Sequence, residues 1–284
     1  MSKSVYEMVT ERIIDQLEQG IIPWQKPWTG VRSGAFNRIS KKPYSLLNQM
    51  LLHHDGEYAT FKQWSDLGGH VRKGEKSEIV CFWKIQPVEE QEDGTKIVRQ
   101  IPLLRYYNVF HISQVDGVEP LPEEELHDIE PIEKADTVLH DYWTKENITV
   151  EHVAGDKAYY SPSLDMIHLP LFEQFISANE YYSTAFHESI HSTMKESRCD
   201  RAEDRKGKLV AFGSNEYSKE ELVAEIGSAS LMNIIGIESK KSFRNSAAYI
   251  QNWLSVLKND VKFIVSASSK AEKAVDYILG ETLA

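Results

Sequence analysis

Cysteine is scarce in this chain of 284 residues: Cys81 and Cys199 are its whole complement. Two cysteines close one disulfide at most, so neither a disulfide framework nor a cysteine-rich zinc module fits. Long apolar runs are missing as well. No stretch approaches the roughly 20 apolar residues that span a bilayer, and the opening MSKSVYEMVTERIIDQLEQG carries acids where a signal peptide would be apolar. A cytoplasmic chain with no membrane partner is the expectation. Neither an internal repeat nor a low-complexity tract is found. Positive charge is in deficit: 32 Lys and Arg stand against 43 Asp and Glu, a net charge of −11. That balance, taken as an average, argues against nucleic acid.

The deficit is uneven. Residues 1–120 hold 15 basic and 15 acidic side chains, so the whole −11 falls on residues 121–284. Within residues 26–84 ten Lys and Arg face five Asp and Glu, which makes a locally basic surface in an acidic protein. Hydrophobic residues make up 41% of the chain, enough for a real core, and the length suits two domains of ordinary size.

The pattern along the chain predicts an α+β protein. Residues 5–18 read as an amphipathic helix closed by Gly20. YSLLNQMLLHH reads as a second helix, and EIVCFWKIQPV and IPLLRYYNVFHISQV as strands about the polar turn EEQEDGTK. Residues 1–118 thus form a small α+β unit. The acidic, proline-bearing stretch 119–131 reads as a linker. Residues 132–284 form the second unit: a helix near 132–145, strands in NITVEHV and AYYSPSLDMIHLP, then helices near 177–197, 218–235, 242–259 and 260–279.

The second unit contains His187-Glu188-Ser189-Ile190-His191. On a helix, positions four apart project side by side, so His187 and His191 can bind one ion while Glu188 flanks them as a general base. The motif alone would arise by chance in roughly a few per cent of chains this long. Ser177 and Glu180 supply a capping box to start its helix. Two histidines leave a tetrahedral site one protein ligand short. The residues after His191 read STMKESRCD, which excludes the HExxHxxGxxH pattern. The next helix carries Glu220, Glu221 and Glu225. Glu221 is the favoured third ligand, with Glu225 as its alternative or as a carboxylate orienting a ligand histidine. Against this, Ser218 and Glu221 could themselves form a capping box. His140, His152 and His168 lack a partner at ligand spacing, and Tyr159, Tyr160 and Tyr217 are weak candidates for holding an oxyanion. Zinc is the expected ion, with manganese as the other candidate.

In the first unit, rings alternate with cations in the manner of single-strand binders, which stack bases and track phosphates. The candidates are Trp24, Trp28 and Tyr44 with Lys26, Arg32, Arg38, Lys41, Lys42, Lys62, Arg72, Lys73 and Lys76. Of Phe82 and Trp83, at least one ring is expected in the core.

The segments IPWQKPW, FNRISKKPYSLLNQMLL, ATFKQWSDLGGHVRKGEKSEIVCFWK and YYNVFHISQV resemble the N-terminal single-stranded DNA-binding domain of ArdC-type antirestriction proteins, a domain also seen in plasmid primases. AYYSPSLDMIHLP, YYSTAFHESIHSTM, EYSKEELVAEIG and AAYIQNWLSVLKND resemble the zincin-like, gluzincin-type metallopeptidase domain joined to it. The resemblance implies His187 and His191 as ligands, Glu188 as base and a glutamate of EELVAE as third ligand. It implies a mobile-element protein that holds single-stranded DNA and protects incoming DNA during conjugation, or serves another task on such elements. The leading reading adds a zinc-dependent peptidase acting on an unidentified protein, with a DNA-bound one as the candidate. The competing reading is a DNA-protecting protein whose metal site is structural or silent.

Overall fold

The computed structural model describes residues 3–25, 34–92, 95–121, 131–175, 177–201, 215–237 and 246–280. Eight helices and nine strands follow in order. They are α1 (Val5–Glu18), β1 (Ala35–Asn37), α2 (Leu46–Leu51), β2 (Gly56–Ala59), α3 (Phe61–Asp66), β3 (His70–Val71), β4 (Glu78–Glu92), β5 (Thr95–His111) and β6 (Val115–Asp116). The second half adds α4 (Pro131–Lys145), β7 (Thr149–His152), β8 (Tyr159–Ser161), β9 (Met166–Leu169), α5 (Ala178–Ser192), α6 (Asn215–Ile235), α7 (Ser246–Asn259) and α8 (Phe263–Leu279). The protein is α+β, as its patterning predicts.

The front sheet has the order β1-β2-β5-β4, with β1 and β2 parallel and the other pairs antiparallel. Strands β4 and β5 pair along their length as one long hairpin with β4 as the outer strand, so most of EEQEDGTK, expected as a turn, continues the strands. A two-stranded ribbon of β3 and β6 lies beside it. In the second half, β9 is the middle strand of three, parallel to β7 and antiparallel to β8.

Sequence divides the chain, but packing joins it. A single cluster of buried side chains runs from Val9, Ile13 and Leu17 of α1 through Met50 and Leu51 of α2 to Ile190, Leu222, Trp253 and Ile264 of the last four helices. Thr10 Oγ1 donates to Val261 O at 2.7 Å, and Glu272 accepts from Leu46 N at 3.2 Å, so polar ties follow the apolar ones. The apolar stripe of α1 is therefore covered by the C-terminal helices, which a separation at 119–131 does not anticipate. Most of that linker lies outside the described residues.

Helices α5 and α6 press closely together. Gly227 permits this: a Cβ there would stand 2.7 Å from Ile190 Cδ1 and 2.9 Å from its Cγ1. Ser228 Oγ donates to Ser183 O at 2.8 Å, a second tie between the same helices. On the other side of α5, Trp143 Nε1 donates to Ser189 Oγ at 2.9 Å, and Tyr142 Oη shares a 2.7 Å hydrogen bond with Ser192 Oγ. Overpacking such a contact costs about 1–3 kcal/mol. Gly227→Val should therefore lower the unfolding free energy by that amount, read as an earlier denaturation midpoint, and an unchanged midpoint would mean that Ile190 can turn aside freely.

Candidate metal centre

Ser177 caps α5, accepting from Glu180 N at 3.3 Å. His187 and His191 then fall one turn apart, with ring centroids separated by 4.7 Å and planes at 80°. Their Nε2 atoms approach to 3.1 Å. From α6, Glu221 places Oε2 3.5 Å from His187 Nε2 and Oε1 3.4 Å from His191 Nε2. One donor atom from each of these three residues lies within 4.8 Å of the others, the one such group among the described residues. Two ligands of one tetrahedral zinc stand about 3.3 Å apart, so the nitrogen spacing suits a shared ion. Two imidazoles with one carboxylate are a donor set that divalent transition metals accept. The residues fit a divalent metal.

The far sides of the rings are also held. Glu225 Oε1 lies 3.9 Å from His187 Nδ1, within ion-pair range, as expected of a carboxylate that orients a ligand ring. His191 Nδ1 faces Glu220 Oε1 at 3.6 Å, and Glu220 accepts from Arg201 Nη2 at 2.8 Å. Arg201 is 7% exposed and also donates to Thr193 Oγ1 at 2.6 Å and Ile190 O at 2.9 Å, which anchors it at the end of α5. Sequence reasoning gave Glu220 and Arg201 no role. The only hint was a third glutamate next to Glu221, because Arg201 arrives from beyond the helix end.

The capping-box objection to Glu221 is removed. Helix α6 begins at Asn215, so Ser218 sits inside it and Glu221 is not needed at its start. Glu188 is 7% exposed and lies close enough to raise the proton affinity of both rings. No described residue donates a hydrogen bond to its carboxylate.

Burial works against a charge on His191, yet Glu220 and Glu221 overcome it and push its pKa up to about 10. His187 is raised in the same way, burial opposing and Glu221 prevailing. Burial opposes the Glu220 carboxylate too, but His191 and Arg201 bring its pKa down to about 2. Glu221 is held far below the carboxylate range by the two histidines, again against burial. A site that concentrates negative charge on paired imidazoles binds a cation or a proton, and the two compete.

The other expected site residues are spread apart. Trp24 is no stacking platform: it is 2% exposed and packs edge-on against Trp253 at 5.0 Å, so it belongs to the core. Arg38 is committed to buried Glu57. Arg72 is engaged by Glu75 at 3.0 Å and Asp116 at 3.2 Å. Tyr44 is partly buried, with its hydroxyl accepting from Asn37 Nδ2 at 3.3 Å. Lys41, Lys42, Lys62, Lys73 and Lys76 are exposed, whereas Lys26, Trp28 and Arg32 lie outside the described residues. The expectation for Phe82 and Trp83 is corrected: neither ring enters the core, and Trp83 is 50% exposed. Tyr160 donates to Asp165 at 2.8 Å and Tyr159 stacks on His168, so both are engaged with neighbours.

This geometry is that of a zincin-like site, and residues 134–270 match the zincin-like metallopeptidase family. Residues 3–110 match the N-terminal domain of the anti-restriction factor ArdC. The metal-free crystal structure of the antirestriction ArdC protein from plasmid R388 superposes with a TM-score of 0.76, at 30% identity, over 97% of each chain. Its Mn(II)-bound structure gives the same score at 32% identity over 98% of each. Protein y4eC of Sinorhizobium fredii, itself uncharacterized, is 33% identical over 96% of this chain and 91% of its own length. Two Escherichia coli proteins named DNA primase TraC are 36% and 34% identical, and the chain spans 27% and 20% of their lengths. The chain belongs to the ArdC family of antirestriction proteins.

Removing Glu221 as Glu221→Ala should abolish tight metal binding. Glu225→Ala and Glu220→Ala should each weaken it about 10- to 100-fold, and equal losses for all three in a metal titration would contradict the geometry. Because His191 stays protonated below about 10 in the metal-free protein, metal uptake should release protons. Apparent affinity should rise with pH up to that value, by about tenfold per unit for each proton displaced. Uptake without proton release would contradict the assignment.

Proposed function

We propose that this protein is a zinc-dependent peptidase that acts on a protein substrate while its front half holds single-stranded DNA. The observation that carries the reading is the meeting of His187 Nε2, His191 Nε2 and the Glu221 carboxylate beside the buried Glu188. His187, His191 and Glu221 would hold the ion. Zinc so held supplies Lewis acidity, lowering the pKa of water to about 7 and polarising a scissile carbonyl. Glu188 would take the proton from the attacking water as the C–O bond forms, and later return it to the leaving amine as the C–N bond breaks. Glu220 with Arg201, and Glu225, keep the imidazoles turned inwards.

Substrate placement follows from the sheet. Strand β8 is an outer strand lying against α5, and it pairs only with β9 among the described residues. An extended peptide can add to that edge through main-chain hydrogen bonds. Exposed Lys41, Lys42, Lys62, Lys73 and Lys76 supply the phosphate-tracking charge of the front half. Tethering to DNA would raise the local concentration of a DNA-bound target.

The test is cleavage of proteins assembled on single-stranded DNA, with fragments read by mass spectrometry. Glu188→Gln should lower cleavage about 10²- to 10⁴-fold while metal content and DNA affinity persist. Cleavage at the wild-type rate would remove Glu188 as the base. Full protection of DNA from restriction by that variant would assign the biological role to occupancy of DNA instead.

A further inference from the structure

The hairpin of β4 and β5 exposes rings that a sheet built only to cover a core would bury. Register sets its faces. Val80 stands opposite Tyr107, Phe82 opposite Arg105 and Lys84 opposite Leu103, so Phe82, Lys84, Arg105 and Tyr107 share one face. Near the base of the hairpin this face is covered: Val80 and Val109 are buried with Ala35, Leu52 and Tyr58, and Tyr44 packs against them. Beyond Val80 the face opens. Tyr107 is 56% exposed, and its ring lies 4.5 Å from that of Phe82 with the planes only 5° apart. Lys84 and Arg105 are exposed and have no ion-pair partner among the described residues.

A parallel pair of rings can be extended by a third flat ring, and here two exposed cations sit on the same face within two residues along each strand. We infer that this row is a binding surface for single-stranded nucleic acid. A base continues the Tyr107–Phe82 stack, and Arg105 and Lys84 take the adjoining phosphates. Duplex DNA keeps its bases within its own stack, so the rings select the single strand. A second copy of this chain docking face to face would bring Lys84 and Arg105 against their counterparts, a like-charge juxtaposition that a polyanion reverses. The net charge of −11 makes two exposed cations beside stacked rings a local departure from the whole. The inference rests on the reading of the front half as a single-strand binder. It places base contact on the hairpin, while Lys41, Lys42, Lys73 and Lys76 remain candidates for phosphate contact alone.

The experiment is fluorescence anisotropy of a labelled oligothymidylate with the full chain across a salt series. Tyr107→Ala should weaken binding about tenfold, since stacking is worth about 1–3 kcal/mol per base, and Tyr107→Phe should bind as wild type does. Lys84→Gln with Arg105→Gln should flatten the slope of log affinity against log salt by about 1.4, the value for two single-strand phosphate contacts. Thermal melts of each variant separate these losses from misfolding. If wild type binds and all these variants bind equally well with the same slope, the hairpin is not the site, although the single-strand reading stands. If the wild-type chain fails to bind the oligonucleotide, both are overturned.

Discussion

The placement of one carboxylate between two imidazoles governs the second half of this molecule. Glu221 reaches both His187 Nε2 and His191 Nε2 because α6 comes very close to α5, where Gly227 leaves room for Ile190 and Ser228 bonds the backbone at Ser183. The approach is supported from behind by Tyr142 and Trp143 of α4, which grip the opposite side of α5 through Ser192 and Ser189. Polar serines at 189 and 192 inside a packed helix are thereby satisfied, and each also donates to its own helix backbone. The spacing His-x-x-x-His is only a local matter; the third donor depends on the packing of two helices.

Electrostatics then makes the site costly to leave without a positive charge. Glu220, Glu221 and Glu225 crowd one end of α6 beside the buried His191 and the partly buried His187, and among the described residues the buried guanidinium of Arg201 answers Glu220. Buried carboxylates need a partner. The partner is a proton when His191 is raised to about 10 and a divalent ion when that proton is displaced. The same charges that prepare the site for a metal therefore set the pH at which it fills. Arg201 also ties the end of α5 to α6, bonding Thr193 and Ile190 on one side and Glu220 on the other.

Much of this was legible in the residues. The histidine pair and Glu188 follow from helical periodicity, and the helices of the second half follow from their apolar stripes. The residues favour Glu221 over Glu225, but freeing it from a capping box needed the start of α6, because Ser218 can cap a helix only if the helix begins just after it. Arg201 and Glu220 escaped notice since they stand 19 residues apart and their pairing leaves no periodic signal. Trp24 shows the limit of composition: an indole beside basic residues looks like a stacking platform until Trp253 covers it. Phe82 and Trp83 show the reverse, because alternation identifies the two faces of a strand but not where the hairpin runs past its core. Nor could α1 reveal that its apolar stripe meets the C-terminal helices, which makes one interior from two sequence regions.

The account's central claim is that His187, His191 and Glu221 form one metal site. X-ray absorption at the zinc edge of the loaded protein measures this directly. The prediction is one ion per chain, with the multiple scattering of two imidazoles and with nitrogen and oxygen ligands at about 2.0–2.2 Å. A bound ion whose spectrum lacks imidazole, or is unchanged in His187→Ala, would contradict it.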